Sequence, residues 1–160
     1  MGVGKGTTAR AFAKKYNIYN IDTDDLIESK EKKEVKKIFA KKGEAYFRAQ
    51  EQATADWIET SVNGTFISCG GGFYKVNNLK KLGTVVLLDA SFEWIHNRLK
   101  TAKNSKNKLA KRPLFSQEKE ARKLYNEREK AYKKLADVVV DVEKLSLDEQ
   151  LAYIAKKCNP

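Results

Sequence analysis

Helical and strand-like rhythms of apolar residues alternate along this chain. Residues 5–15 place Ala9, Ala11, Phe12 and Ala13 among polar neighbours and close on Lys14-Lys15, which predicts a helix opening directly from a glycine-rich start, with cations at its negative end. Residues 17–21, Asn-Ile-Tyr-Asn-Ile, alternate and predict a short strand that runs into Asp22-Thr23-Asp24. A helix starts over 25–29, and another over 32–42 repeats Val35, Ile38 and Phe39 until Gly43 stops it. A longer amphipathic helix over 44–62 carries Phe47, Ala53, Trp57 and Ile58. Residues 65–69 form a strand that meets Gly70-Gly71-Gly72, and residues 84–88 form the clearest strand, apolar throughout as a strand covered on both faces should be. Ser91 caps a helix to about Leu99. Residues 117–136 are helical by period, 138–142 are the last strand, and Ser146 with Glu149 makes a capping box that opens the final helix.

Strands alternating with helices imply the α/β class, a three-layer αβα arrangement with a parallel sheet. The 160 residues suit one domain with a real core. Ligands of such sheets bind beyond the carboxyl ends of the strands. Three glycine-rich or acidic clusters fall at such ends: the glycine loop at the start, Asp22-Thr23-Asp24 and Gly70-Gly71-Gly72.

The net charge of +11, from 32 Lys and Arg against 21 Asp and Glu, suits an anionic partner, either nucleic acid or small phosphorylated and carboxylated ligands. The lysines are spread rather than clustered with aromatics, which argues against a nucleic-acid face. Their densest group, in residues 100–111, reads as a loop. No stretch is long and apolar enough to span a membrane, and no secretory signal is visible. Cys69 and Cys158 lack metal spacing and read as free thiols of a reducing, cytoplasmic compartment.

Met1-Gly2-Val3-Gly4-Lys5-Gly6-Thr7 is most of a phosphate-binding loop, whose full form is G-x-x-x-x-G-K-[ST]. The glycines let successive N–H groups face phosphate oxygens, the following helix presents its positive end, and Lys5 would reach the β- and γ-phosphates. A plain glycine-rich start is the alternative. Asp22 is placed to face Mg²⁺ or its water, and Asp24 to accept a proton from a substrate hydroxyl; both could equally be a helix cap. Gly70, Gly71 and Gly72 imply a close backbone approach or a tight turn. Ser68 could hold a metal-bound water. Arg48 could clamp a carboxylate or phosphate, or make a surface ion pair. Arg112 follows the lysine-rich loop, which would close over ATP as a lid or simply be solvated. His96 reads as structural.

Taken together these residues resemble the shikimate kinases. The resemblance covers nearly the whole chain and rests on Gly4-Lys5, Asp22-Thr23-Asp24, Ile38-Phe39, Gly43-Glu44, Phe47-Arg48, Glu51, Gly70-Gly71-Gly72, Arg112-Pro113-Leu114, and Arg128, Tyr132 and Ala136-Asp137 in that order. It implies a P-loop fold like that of nucleoside-monophosphate kinases, one kinase domain over 1–160, a substrate-binding helical region at about 23–60 and a lid at about 100–115. The implied reaction moves the γ-phosphoryl group of ATP to the 3-hydroxyl of shikimate in a cytoplasmic monomer, with no nucleic acid or membrane as partner. By this resemblance Asp24 is the base and binds shikimate hydroxyls, Arg48 and Arg128 bind its carboxylate, and Gly70, Gly71 and Gly72 line its ring. Phe39 and Phe47 pack nearby. Gly2, Val3, Gly4, Lys5, Gly6, Thr7 and Arg112 hold ATP, and Thr7, Asp22 and Ser68 organise Mg²⁺. Arg98 resembles the family position near adenine. Another small-molecule kinase of this fold class, a nucleic-acid-binding domain and a non-catalytic relative are the competing readings.

Two departures stand out. Gly6 occupies the place of the usual metal hydroxyl, which leaves Thr7 or Thr8 for that role. The family's first strand has no counterpart, so a strand and a Gly-x segment are expected ahead of Met1 in the natural protein. Adding them is expected to raise both melting temperature and turnover; no gain in either rejects this expectation.

Overall fold

The structure, a computed structural model, describes residues 2–101 and 118–158. They fall into two compact units, one of residues 5–85 with Cys158 and the other of residues 2–4 with the described part of 86–157.

In the first unit helix α1 (Lys5–Tyr16) is followed by strand β1 (Tyr19–Asp22), helices α2 (Thr23–Glu31) and α3 (Val35–Ser61), strand β2 (Thr65–Ser68) and two 3₁₀ turns, Phe73–Lys75 and Leu79–Lys81. The predicted strand over 17–21 starts two residues late. Asn17 takes a left-handed conformation with φ of 53°, and the Ile18 N–H donates to the Ala13 carbonyl at 3.0 Å, closing α1 instead. The strands pair in parallel from Tyr19↔Thr65 to Asp22↔Ser68, so their carboxyl ends coincide. Phe12 of α1 packs on Phe66 of β2, with ring centroids 4.7 Å apart.

Asp22 accepts the Asp24 N–H on Oδ1 at 3.0 Å, which starts α2 at Thr23, earlier than predicted. Asp24 and Asp25 in the first turn favour the same end electrostatically. Helix α2 packs on α3 through Ile27, Ile38 and Phe47. The helices predicted over 32–42 and 44–62 form one run, kinked at Gly43, whose φ of 79° and ψ of 173° are not helical. A second cluster joins Ala55 and Ile58 of α3 to Phe73 and Val76 beyond β2. The 3₁₀ turns carry no clear periodic signal and were not predicted.

In the second unit strand β3 (Val86–Asp89) pairs in parallel with β4 (Val138–Asp141), from Val86↔Val138 to Asp89↔Asp141. Strand β3 is only partly buried along its length rather than covered on both faces. Helices α4 (Phe92–Thr101), α5 (Glu118–Leu135) and α6 (Leu147–Cys158) complete the described elements. Ser91 Oγ accepts the Trp94 N–H at 3.2 Å, capping α4 as predicted. The capping box is also present: Glu149 Oε2 accepts the Ser146 N–H at 2.8 Å, and Ser146 Oγ accepts the Glu149 N–H at 3.4 Å. Tyr125 of α5 donates its hydroxyl to the Ala90 carbonyl at 2.8 Å. His96 stacks on Phe92 with centroids 5.5 Å apart.

The architecture is α/β with parallel pairing, realised among the described residues as two two-stranded sheets. Gly2 and Gly4 have φ of 73° and 110°, and described residues 2–4 add no strand to either sheet. The loop predicted over 100–111 falls outside the described residues from 102 onward.

The Gly43 conformation is open almost exclusively to glycine, although a side chain there would meet no neighbour within 4 Å. Gly43→Ala is therefore expected to lower the unfolding free energy by about 1–3 kcal/mol from backbone strain alone. Denaturant unfolding checks this, and a loss no greater than that of Gly64→Ala in its open turn at φ of 58° would contradict it.

Candidate active site

The carboxyl ends of β1 and β2 bring Asp22 beside buried Ser68. Just beyond these ends the chain turns: Thr23 and Asp24 open α2, while Gly70-Gly71-Gly72 follows Cys69 after β2. The Gly70 N–H donates to Thr23 Oγ1 at 2.9 Å. The turn closes on itself through Phe73 N–H to the Gly70 carbonyl at 3.2 Å and Lys75 N–H to the Gly72 carbonyl at 3.1 Å. Phe73, with no exposed surface, anchors it under α3.

Space explains the glycines. A Cβ on Gly70 would overlap Asp24 Oδ1, and a Cβ on Gly72 would overlap Arg48 Nη1. An acid and a guanidinium thus lie directly against one stretch of bare backbone. Arg48 donates from Nη2 and Nε to Glu44 Oε1 at 2.8 and 3.0 Å, and from Nη1 to Glu51 Oε2. Its Cζ lies 5.8 and 5.9 Å from the ring centroids of Phe39 and Phe47. Glu44 is largely exposed on its side chain, whereas Glu51 is almost wholly buried. Glu51 Oε1 has no hydrogen-bond partner among the described residues.

The electrostatics follow from this crowding. Burial first, then the charges of Asp22 and Glu51, push Asp24 up from 3.8 to about 6, while Lys5 pulls it back and Glu28 adds slightly to the rise. Desolvation pushes the neighbouring Cys69 thiol up to about 12, so it stays protonated and inert at neutral pH. Both cysteines are unbridged.

Lys5, Asp22, Asp24, Arg48, Ser68, Gly70, Gly71 and Gly72 all belong to the first unit. Gly6 and Thr7 lie in the first turn of α1, with Thr7 exposed and Thr8 buried. Gly2, Val3, Gly4 and Arg128 belong to the second unit. There the Val3 carbonyl accepts Arg98 Nη1–H at 2.8 Å, and Ile95 and Leu99 of α4 pack so close to Gly2 that an added Cβ would lie 3.0 Å from each. Arg128 on α5 borders a small cavity with Asp89, Tyr125 and Tyr132. Arg112 lies outside the described residues. The sequence reading assigns no role to Thr23 or Glu51. Glu51 is marked only by its place in the family pattern and its i+3 spacing from Arg48, and Thr23 only by its place between two aspartates.

No group of three or more His, Cys, Asp and Glu suited to a metal occurs among the described residues. Asp22 and Ser68, two hard oxygen donors side by side, fit an ion that takes few protein ligands and keeps water and phosphate oxygens, as Mg²⁺ does.

The Asp24 shift carries a stability signature. Below the unfolded value of 3.8 the group is protonated in both states and has no penalty; between 3.8 and about 6 the unfolded chain ionises while the folded protein keeps its proton, so stability falls across that window and levels off above it. Asp24→Asn removes that charge. It is expected to raise stability at pH 8 by on the order of 1–3 kcal/mol, a few degrees in melting temperature, with the gain vanishing near pH 4. A melting-temperature difference independent of pH would contradict the raised value.

Comparison with known proteins follows the same lines. Residues 1–159 match the family model described as Shikimate kinase. A shikimate kinase of Helicobacter hepaticus is 37% identical over 148 residues, covering 92% of this chain and 86% of that protein. One from Sulfurihydrogenibium is 38% identical over 164 residues, covering 98% and 92%. The crystal structure of shikimate kinase from Bacteroides thetaiotaomicron shares the fold, with a TM-score of 0.83 at 24% identity over 100% of this chain and 94% of that one. The chain belongs to the shikimate kinase family.

Proposed function

We propose that this protein transfers the γ-phosphoryl group of ATP to the 3-hydroxyl of shikimate, giving shikimate 3-phosphate and ADP. The observation that carries this reading is the placement of Asp24 and Arg48 against one glycine turn, with Lys5 close enough to lower the proton affinity of Asp24. A base and a carboxylate clamp fixed to the same backbone suit a small hydroxylated acid. Residues 23–60 form the substrate region, and 100–115 the lid, of a single kinase domain in this reading.

Asp24 accepts the proton of the attacking hydroxyl as its oxygen bonds to the γ-phosphorus and the bond to the ADP oxygen breaks. A value near 6 leaves Asp24 ionised at neutral pH yet still basic enough to help. Arg48 receives the substrate carboxylate. Exposed Glu44 gives up its place on the guanidinium, while buried Glu51 keeps the fork oriented. Arg128 is the second carboxylate ligand, and the backbone of Gly70, Gly71 and Gly72 lines the ring. Gly2, Val3, Gly4, Gly6 and Thr7 cradle the phosphates, with Lys5 and Arg112 offsetting their charge. Thr7, Asp22 and Ser68 would hold Mg²⁺, which when bound neutralises phosphate charge. The protein acts as a cytoplasmic monomer on small molecules, without nucleic acid or membrane partners; no helix of the described residues is long and apolar enough to cross a membrane.

A coupled ADP-release assay with Mg-ATP, with and without shikimate, tests the reading. Shikimate-dependent release is expected, and Asp24→Asn is expected to lower it by roughly 10²–10⁴-fold. Release unaffected by shikimate refutes the substrate, and equal release from both proteins refutes Asp24 as base.

A further inference from the structure

We propose that Thr23 is a positioning residue: its buried hydroxyl fixes the gap between the glycine turn and Asp24 in which the substrate hydroxyls are held. The proposal rests on the reading above and concerns a residue to which that reading gives no part. Thr23 has no exposed surface. Its Oγ1 accepts the Gly70 N–H across 47 residues of sequence. Gly70 is the residue against which the Asp24 carboxylate lies.

The geometry makes this bond a spacer rather than one contact among many. Asp24 is fixed at the start of α2 by its own N–H, which Asp22 Oδ1 accepts. The paired strands end at Asp22 and Ser68, so beyond that point the ladder no longer sets the distance between the two chains. Past the ladder, the Gly70 N–H to Thr23 Oγ1 bond joins the two chains. Downstream, Phe73 anchors the turn in the core.

Gly70 is also poorly able to hold its own orientation. With no Cβ, its peptide rotates freely unless a partner captures the N–H. Removing the hydroxyl leaves a part-buried donor without its partner, and a rotated peptide is its easiest relief. Rotation shifts the turn against Asp24 while leaving Lys5 at the start of α1 in place. The expected consequence falls on the hydroxylated acid and spares the nucleotide.

The test compares Thr23→Val, which keeps the shape and loses the hydroxyl, with Thr23→Ala and Thr23→Ser. Val and Ala are expected to raise the KM for shikimate about tenfold, the worth of one buried hydrogen bond, with the KM for ATP within about twofold of wild type. Ser, which keeps the hydroxyl, is expected to restore the shikimate KM to within about twofold. An unchanged shikimate KM in Val or Ala, an equal rise in both KM values, or a Ser variant as impaired as Val overturns the proposal. If neither Val nor Ala folds, amide exchange decides: the Gly70 N–H must be protected in wild type and Thr23→Ser, and rapid exchange in either overturns it. Failure of the wild-type protein to turn over shikimate strikes instead at the assignment of substrate, and is seen before any variant is made.

Discussion

The site depends on a steric constraint: two backbone positions must carry no side chain. Gly70 and Gly72 leave room for Asp24 and Arg48 to lie on the main chain itself, and any Cβ there would displace a charged group. Bare backbone of this kind drifts unless tied down. It is tied at one end to a strand ladder that closes at Ser68, and at the other by Phe73, whose ring is locked among Ala55, Ile58 and Val76. The helix that receives Phe73 also carries Arg48 and Glu51. Turn and guanidinium therefore share one foundation, and the core under α3 sets the distance between them.

Charge is concentrated here at a cost to stability. Glu51 is almost fully buried, and Arg48 satisfies only one of its oxygens. Such a pair is weak as a source of stability, because desolvation offsets most of the attraction. Its effect is orientation: the buried carboxylate of Glu51 restrains the guanidinium independently of exposed Glu44. The same carboxylate raises the proton affinity of Asp24, and Lys5 opposes it. Asp24 thus sits between neighbours of both signs, with burial the largest influence on its proton affinity.

Local physics made much of this visible in the chain. The Ser146 capping box, the Ser91 cap and the break at Gly43 involve residues within a few positions of one another, and each appears where the spacing places it. At Asp22-Thr23-Asp24 the two readings, cap and ligand, prove compatible, since capping occupies one oxygen of Asp22. What depends on distant partners was not legible. An arginine and a glutamate three apart look like a surface pair on any helix, and only the packing of α3 buries Glu51. The Thr23 bond to Gly70 has no local signature at all. Strand β3 reads as fully covered because its residues are apolar, but apolar character sets what burial would gain, not how much cover the neighbours supply.

The loop at the chain's start shows how one residue can have a structural task where resemblance suggests a ligand. Gly2 and Gly4 adopt left-handed conformations, so nothing in their own torsional preferences holds Val3 between them. Arg98 supplies the restraint: its guanidinium rests over Trp94 at 4.9 Å, and Nη1 donates to the Val3 carbonyl. The fit is tight enough that a Cβ on Gly4 would crowd both Nη atoms at 3.2 Å. An arginine has five N–H donors in a rigid fork, and a carbonyl takes one. Anchoring Val3 therefore leaves donors for a second partner, and a role near adenine is compatible with it. The anchor is what the structure shows: Arg98 holds the Val3 carbonyl, which leaves that carbonyl engaged on the protein itself.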